Sequence, residues 1–209
     1  MRVLDKPIIA GFPWGVPFLG GPRSRTTVAP QKKLPVWLRL RRAVYYASDL
    51  ATLPYMQHDY AEAIRQLQGV LAMDTAYPAT YLNLALTYAA NQQFDAAIEA
   101  ARKSVQLDGE NPFMLSTLSY VNGRAGKTAE ARRALQQLND MGKKRPVSAF
   151  YRGFALLGLG DFDQAMNSFS KAYDERFYAL AFVKVLPEFE PLRTDPRLKE
   201  LVHRMLLPD

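Results

Sequence analysis

The sequence predicts an all-α fold, a superhelical stack of about four helical hairpins closed by a C-terminal capping helix. Three observations carry that prediction. Ala63, Ala97, Ala131 and Ala165 stand 34 residues apart, and Pro78, Pro112 and Pro146 keep the same period. A fixed period of this kind marks one supersecondary unit copied in tandem, each copy burying its apolar face against its neighbours. Within a copy, Tyr81, Leu84, Ala85 and Tyr88 follow the i, i+3, i+4, i+7 spacing of one buried helix stripe.

In chain order, the first segment is residues 1–43, a basic arm rich in proline and glycine. Pro7, Pro13, Pro17, Pro22, Pro30 and Pro35, with Gly11, Gly15, Gly20 and Gly21, are too many breakers for a regular helix or central strand. The arm holds nine Lys/Arg against Asp5 alone, whereas residues 44–209 hold 18 Lys/Arg against 19 Asp/Glu. The whole net charge of +7 therefore belongs to the arm and does not mark the stack as a nucleic-acid binder. Three readings of the arm stay open. It is a poorly ordered leader, from a misassigned start or a shortened gene that lacks an upstream domain. Or Arg23, Arg25, Lys32, Lys33, Arg39, Arg41 and Arg42 draw it weakly to nucleic acid or an acidic membrane. Or it is a targeting segment, although Pro13 and Pro17 interrupt the apolar residues 8–19 that would form a signal core. From Val36, Trp37-Leu38-Arg39-Leu40 starts an amphipathic helix placed to cover the N-terminal end of the stack.

Four repeats follow at about 44–77, 78–111, 112–145 and 146–179. Position 8 carries Ala51, Ala85, Ser119 and Gly153, and position 20 carries the four alanines, so small side chains recur where two helices approach closely. Position 24 holds Leu67, Ala101, Leu135 and Phe169. Helix breaks are marked by Ala125-Gly126-Lys127 and Leu159-Gly160-Asp161, and Asp161 with Gln164 and Asp59 with Glu62 have capping-box spacing. In the first copy Pro54 falls inside a helix and predicts a kink or early stop. Arg152 stands in a column otherwise filled by Leu50, Leu84 and Leu118, so its head must snorkel to solvent or meet a carboxylate.

These columns resemble the tetratricopeptide repeat family over about residues 44–177, best in the run from Tyr81 to Tyr88, in Phe94-Asp95-Ala96-Ala97-Ile98 and in Leu107-Asp108. Residues 178–209 then form the closing segment, with Asp195 as N-cap and Pro196 in the first turn of a helix over 195–206. Its Leu192-Arg193-Thr194-Asp195-Pro196-Arg197 string resembles the tail of tetratricopeptide regions in bacterial multidomain regulators. That resemblance implies a bacterial setting and an alternative role, the regulatory or sensory segment of a transcription or signalling protein whose basic arm touches nucleic acid.

Composition argues against an enzyme. There are no cysteines, which removes thiolate chemistry, disulfides and cysteine-based zinc motifs. The two histidines, His58 and His203, read as surface residues, and neither a phosphate loop nor Gly-x-Ser-x-Gly occurs. Glu188 and Glu190 lie among prolines and read as solvated carboxylates. No catalytic residue, cofactor or metal is expected.

A scaffold that binds a protein or peptide is the function expected of such a stack. Its first helices line a concave groove, and the groove candidates are Asn83, Leu86, Phe113, Thr117, Tyr120, Arg124, Phe150, Tyr151 and Phe154. Aromatic anchors with a few polar groups suit an extended or helical peptide; packing against a neighbouring helix accounts equally well for Phe150 and Phe154. The carboxylate clamp of chaperone-binding tetratricopeptide modules is not supported, because Ser48, Thr52, Phe113 and Thr117 stand at clamp positions and only Asn83 matches. Lys143-Lys144-Arg145 reads as solvated helix-end charge. Self-association through the N-terminal end is a further expectation, with a cytoplasmic location and a secreted or periplasmic one left open; no apolar run reaches the ~18 residues of a membrane span.

Overall fold

A computed structural model describes residues 36–205, with side-chain surroundings from residue 43 onward. The expectations for residues 1–35 lie outside the described residues. The described chain is all-helical: α1 Val36–Leu50, α2 Thr52–Met56, α3 Tyr60–Met73, α4 Pro78–Ala90, α5 Phe94–Leu107, α6 Pro112–Arg124, α7 Thr128–Lys144, α8 Ala149–Gly158 and α9 Phe162–Asp174. Two 3-10 stretches, Tyr178–Phe182 and Pro187–Leu192, lead to α10, Pro196–Arg204. Helices α4/α5, α6/α7 and α8/α9 pack as hairpins, and α3 packs on both α1 and α2.

Local chemistry fixes the helix ends. Pro78 and Pro112 open α4 and α6, where a missing N–H costs no hydrogen bond. The fourth repeat departs from its proline: α8 starts at Ala149, three residues after Pro146, because Ser148 accepts from the Phe150 N–H and Glu175 accepts from the Ser148 hydroxyl at 2.6 Å. Asp59 and Asp161 cap α3 and α9 by accepting from the backbone N–H of Glu62 and Gln164. Asp195 likewise accepts from the Arg197 N–H at 2.8 Å, so the capping helix begins where its sequence says it should. It runs to Arg204 rather than to 206, a position outside the described residues.

The turns inside the repeats share one backbone solution. His58, Gln92, Gly126 and Gly160, each 34 residues after the last, all have φ between 59° and 76°. Each is followed by a residue whose N–H reaches five back, Asp59 to Pro54, Gln93 to Tyr88, Lys127 to Asn122 and Asp161 to Leu156, at 2.8–3.1 Å. This is the Schellman stop, and it requires a left-handed residue, a conformation that costs a residue with a Cβ but not glycine. Gln92→Gly is therefore expected to stabilise the fold by about 0.5–1 kcal/mol and raise Tm by about 2–4 °C per kcal/mol, as read by thermal unfolding.

Packing follows the repeat columns. All four period alanines and Ala51, Ala85 and Ser119 are fully buried. Gly153 and Phe169 compensate one another: a Cβ on Gly153 would lie 2.7 Å from the Phe169 ring, so the bulkiest residue of column 24 faces the smallest of column 8. Pro54 acts as expected. The helix stops at Leu50 and resumes at Thr52, because a proline has no N–H for the Leu50 carbonyl, and the Thr52 hydroxyl donates to the Asp49 carbonyl at 2.6 Å across the break. Arg152 is exposed and needs no buried partner.

The most unusual contact joins α6 to α8. A Cβ on Gly158 would come within 2.4 Å of the Tyr120 Cα, and one on Gly123 within 2.4 Å of the Gly158 carbonyl oxygen. Two first helices thus touch backbone to backbone. At the far end, α10 docks on α9: Arg197 reaches Asp163 at 2.8 Å, the Tyr173 hydroxyl donates to the Arg204 carbonyl at 3.3 Å, and the Arg204 guanidinium lies 4.3 Å from the Tyr173 ring centre.

Candidate partner-binding site

The first helices of a hairpin stack, here α2, α4, α6 and α8, form its inner side. Of the nine groove candidates, Asn83, Leu86, Phe113, Thr117, Tyr120, Phe150 and Phe154 are buried, Tyr151 is half-buried and Arg124 is exposed. Asn83 is held within the stack, its amide donating to the Ser48 carbonyl and hydroxyl at 3.2 Å each, which ties α4 to α1. The aromatics form one connected cluster. Phe154 stacks on Tyr120 at 4.8 Å and meets Phe113 at 5.9 Å, while Phe150 meets Phe169 at 5.7 Å and Phe177 at 5.3 Å.

What covers this face is the chain itself. After α9, residues 178–192 return from the fourth repeat to the first. At one end Tyr178 lies within electrostatic reach of Tyr45 on α1 and Tyr151 on α8. Farther along, Phe189 lies 6.4 Å from Phe150 and 5.1 Å from Phe169, and the Glu188 carboxyl faces Tyr55, Tyr60, Tyr120 and Arg124, on α2, α3 and α6. A segment that packs its rings on α8 and α9 and turns Glu188 toward α2, α3 and α6 lies across several first helices of the stack. It is held by apolar residues at every third position, Leu180, Val183, Leu186, Phe189 and Leu192, all at most 2% exposed. That spacing matches the three residues per turn of a 3-10 helix, so one ridge points at the repeats.

The solvated reading of the two carboxylates is corrected for one of them. Glu190 is exposed and pairs with Arg193, but Glu188 is 2% exposed. The Tyr55 hydroxyl faces the Glu188 carboxyl and favours its charged form, but among the described residues no donor meets either Glu188 oxygen in full hydrogen-bond geometry. Burial, the main cause, pushes the Glu188 carboxyl up from 4.5 to about 7, opposed in part by the Tyr55 hydroxyl and the Arg124 charge. Burial also raises the Tyr55 and Tyr120 hydroxyls well above the usual phenol range. Arg124 donates to the Tyr120 hydroxyl at 3.1 Å, which holds its guanidinium at the edge of this pocket.

Sequence reasoning missed Glu188, Phe189, Tyr55 and Tyr60 as members of this face. The signal was present as the three-residue apolar spacing from Leu180 to Leu192, hidden by Pro187 and Pro191. His58 and His203 are exposed, as are Lys143, Lys144 and Arg145, with Lys143 bonded to Asp140 at 2.7 Å. Among the described residues no group of His, Cys, Asp and Glu is arranged to hold a metal ion, and no helix is long and apolar enough to cross a membrane.

Comparison with known proteins bears on the same repeats. Residues 55–118 match the family model described as tetratricopeptide repeat. Over 103 residues the chain is 30% identical to the photosystem I assembly protein Ycf3 of Synechococcus sp. (strain CC9605), an alignment that takes in 47% of this chain and 58% of that relative's length.

Proposed function

We propose that the chain, residues 55–118 of which match the tetratricopeptide repeat model, is an assembly scaffold that binds a partner polypeptide on the inner side of its stack. The observation that carries this reading is the seating of residues 178–192, a stretch outside the repeats, along that side with Glu188 and Phe189 buried. A surface that takes one short 3-10 segment has the aromatic slots and edge charge to take another segment of similar shape. The likeness to a relative named for assembly supports the scaffold role in general, without carrying over that relative's partner.

The accessible candidates for contact are Arg124 and the half-buried Tyr151. A photo-cross-linking amino acid placed at either position in the native cell is expected to capture the same partner. The same amino acid at Glu99, exposed on the outer helix α5, is expected to capture none. Capture from Glu99 alone would move the binding surface to the outer side and overturn the reading.

A further inference from the structure

We propose that residues 178–192 are an internal ligand of the inner face, and that the partner segment which replaces them presents a carboxylate directly followed by an aromatic residue. The inference rests on the reading of the inner side as the partner-binding side. Glu188 and Phe189 supply the pattern. Phe189 is fully buried between the rings of Phe150 and Phe169. Its neighbour Glu188 is buried beside Tyr55, Tyr120 and Arg124, where the Tyr55 hydroxyl assists its charge only loosely and no donor among the described residues meets either oxygen in full hydrogen-bond geometry.

A segment built only to close a core would not bury an acid so loosely partnered, since an ionisable group whose partners do not offset desolvation opposes its own burial. The aromatic slot is well filled and the acid site is not. An incoming segment with the same pair of side chains takes the slot and can bring its carboxylate against the Arg124 guanidinium, which spends one N–H on the Tyr120 hydroxyl and lies exposed at the edge of the face. The internal segment's backbone is two short 3-10 stretches with three-residue hydrogen bonds, such as Val183 to Leu180 and Phe189 to Leu186, whose geometry is poorer than that of an α-helix.

The test uses the full chain and a fluorescein-labelled peptide that copies residues 185–192. Fluorescence anisotropy is expected to show weak binding to the wild type, and binding tighter by about tenfold or more to the full-length Phe189→Ala variant, whose slot is vacated. Replacing the glutamate or the phenylalanine of the peptide, or introducing Arg124→Glu into the variant, is expected to lower that affinity by about tenfold. Equal affinity for wild type and variant, or no binding to either, overturns the proposal. So does a wild-type mass that doubles with concentration, which would place the segment in a second copy.

Should Phe189→Ala fail to fold, hydrogen exchange on the wild type decides. Amides of residues 178–192 are expected to open about tenfold or more often than those in the middle of α6. Equal protection overturns the proposal, because the segment would then be a permanent part of the core. Cross-linking of a partner at Arg124 with no peptide binding would sink the internal ligand alone. Peptide binding without any cross-linked partner would sink the scaffold reading instead.

Discussion

Gly158→Ala is expected to destabilise the protein by about 3 kcal/mol or more, an effect matched among the described glycines by Gly123→Ala at the same contact. The added carbon would sit 2.4 Å from the Tyr120 Cα and 2.5 Å from its carbonyl oxygen, and all three nearest atoms are backbone. A flexible side chain can swing away from such a clash, but two helix backbones must separate. Separating α6 from α8 would also pull Phe154 off Tyr120, a stacked pair at 4.8 Å. The matched control is Gly69→Ala in α3, where nothing lies within 4 Å of the new carbon. That change is expected to add about 0.5–1 kcal/mol, because alanine restricts the unfolded chain and suits a helix. Urea unfolding of both variants gives the comparison. A Gly158→Ala midpoint equal to the wild type would mean that α6 and α8 do not meet backbone to backbone.

The second large effect is a dependence on pH that runs opposite to acid denaturation. Glu188 is raised from 4.5 to about 7 in the folded chain, so the folded state holds its proton more tightly than the unfolded state. Below 4.5 the carboxyl is neutral in both states and burial carries no charge penalty. As pH rises through the window from 4.5 to about 7 the unfolded chain gains charge in water first, and stability falls. Above that window the loss is complete, at about 3 kcal/mol. Asp49, also raised by burial to about 7 and without a hydrogen-bond partner for either oxygen among the described residues, acts in the same direction. The groups facing Glu188 are Tyr55 on α2, Tyr60 on α3, and Tyr120 and Arg124 on α6; only Arg124 is charged in this range, and its attraction is already part of the balance. Glu188→Gln keeps the shape and removes the titration. The variant is expected to be more stable than the wild type by about 3 kcal/mol at pH 8 and no more stable at pH 4. Because other titrating groups are common to both proteins, the difference isolates this side chain. A constant difference across that range would contradict the burial of Glu188.

The repeat architecture was legible because it is local and copied. The alanine column, the aspartate caps at Asp59, Asp161 and Asp195, and the break before Pro54 each follow from a few neighbouring residues and appear where the spacing puts them. Of the four left-handed turns between the helices of the repeats, two were visible as Gly126 and Gly160; the other two are His58 and Gln92, whose side chains give no sign of a positive φ. The inner face was legible in composition and not in exposure. Helical spacing tells which side chains leave the inner side of α6 and α8, but not that residues 178–192 come back over them. That return is a contact between distant parts of the chain, and its only local trace is an apolar residue at every third position. The close approach of α6 and α8 was hidden for a related reason, since Gly123 and Gly158 each look like an ordinary weak point in a helix until the other is known to face it.

Glu188 lies out of water beside Tyr55, Tyr120 and Arg124, and the proposed internal ligand stands or falls with that burial. The most direct test is a carbon-13 NMR titration of the Glu188 side-chain carboxyl in the full chain, assigned by comparison with Glu188→Gln. A midpoint near 7, with a coupled change in the Tyr55 ring signals, is the expected result. A midpoint near 4.5 with Tyr55 unmoved would place the carboxyl in solvent, and with it the segment off the face.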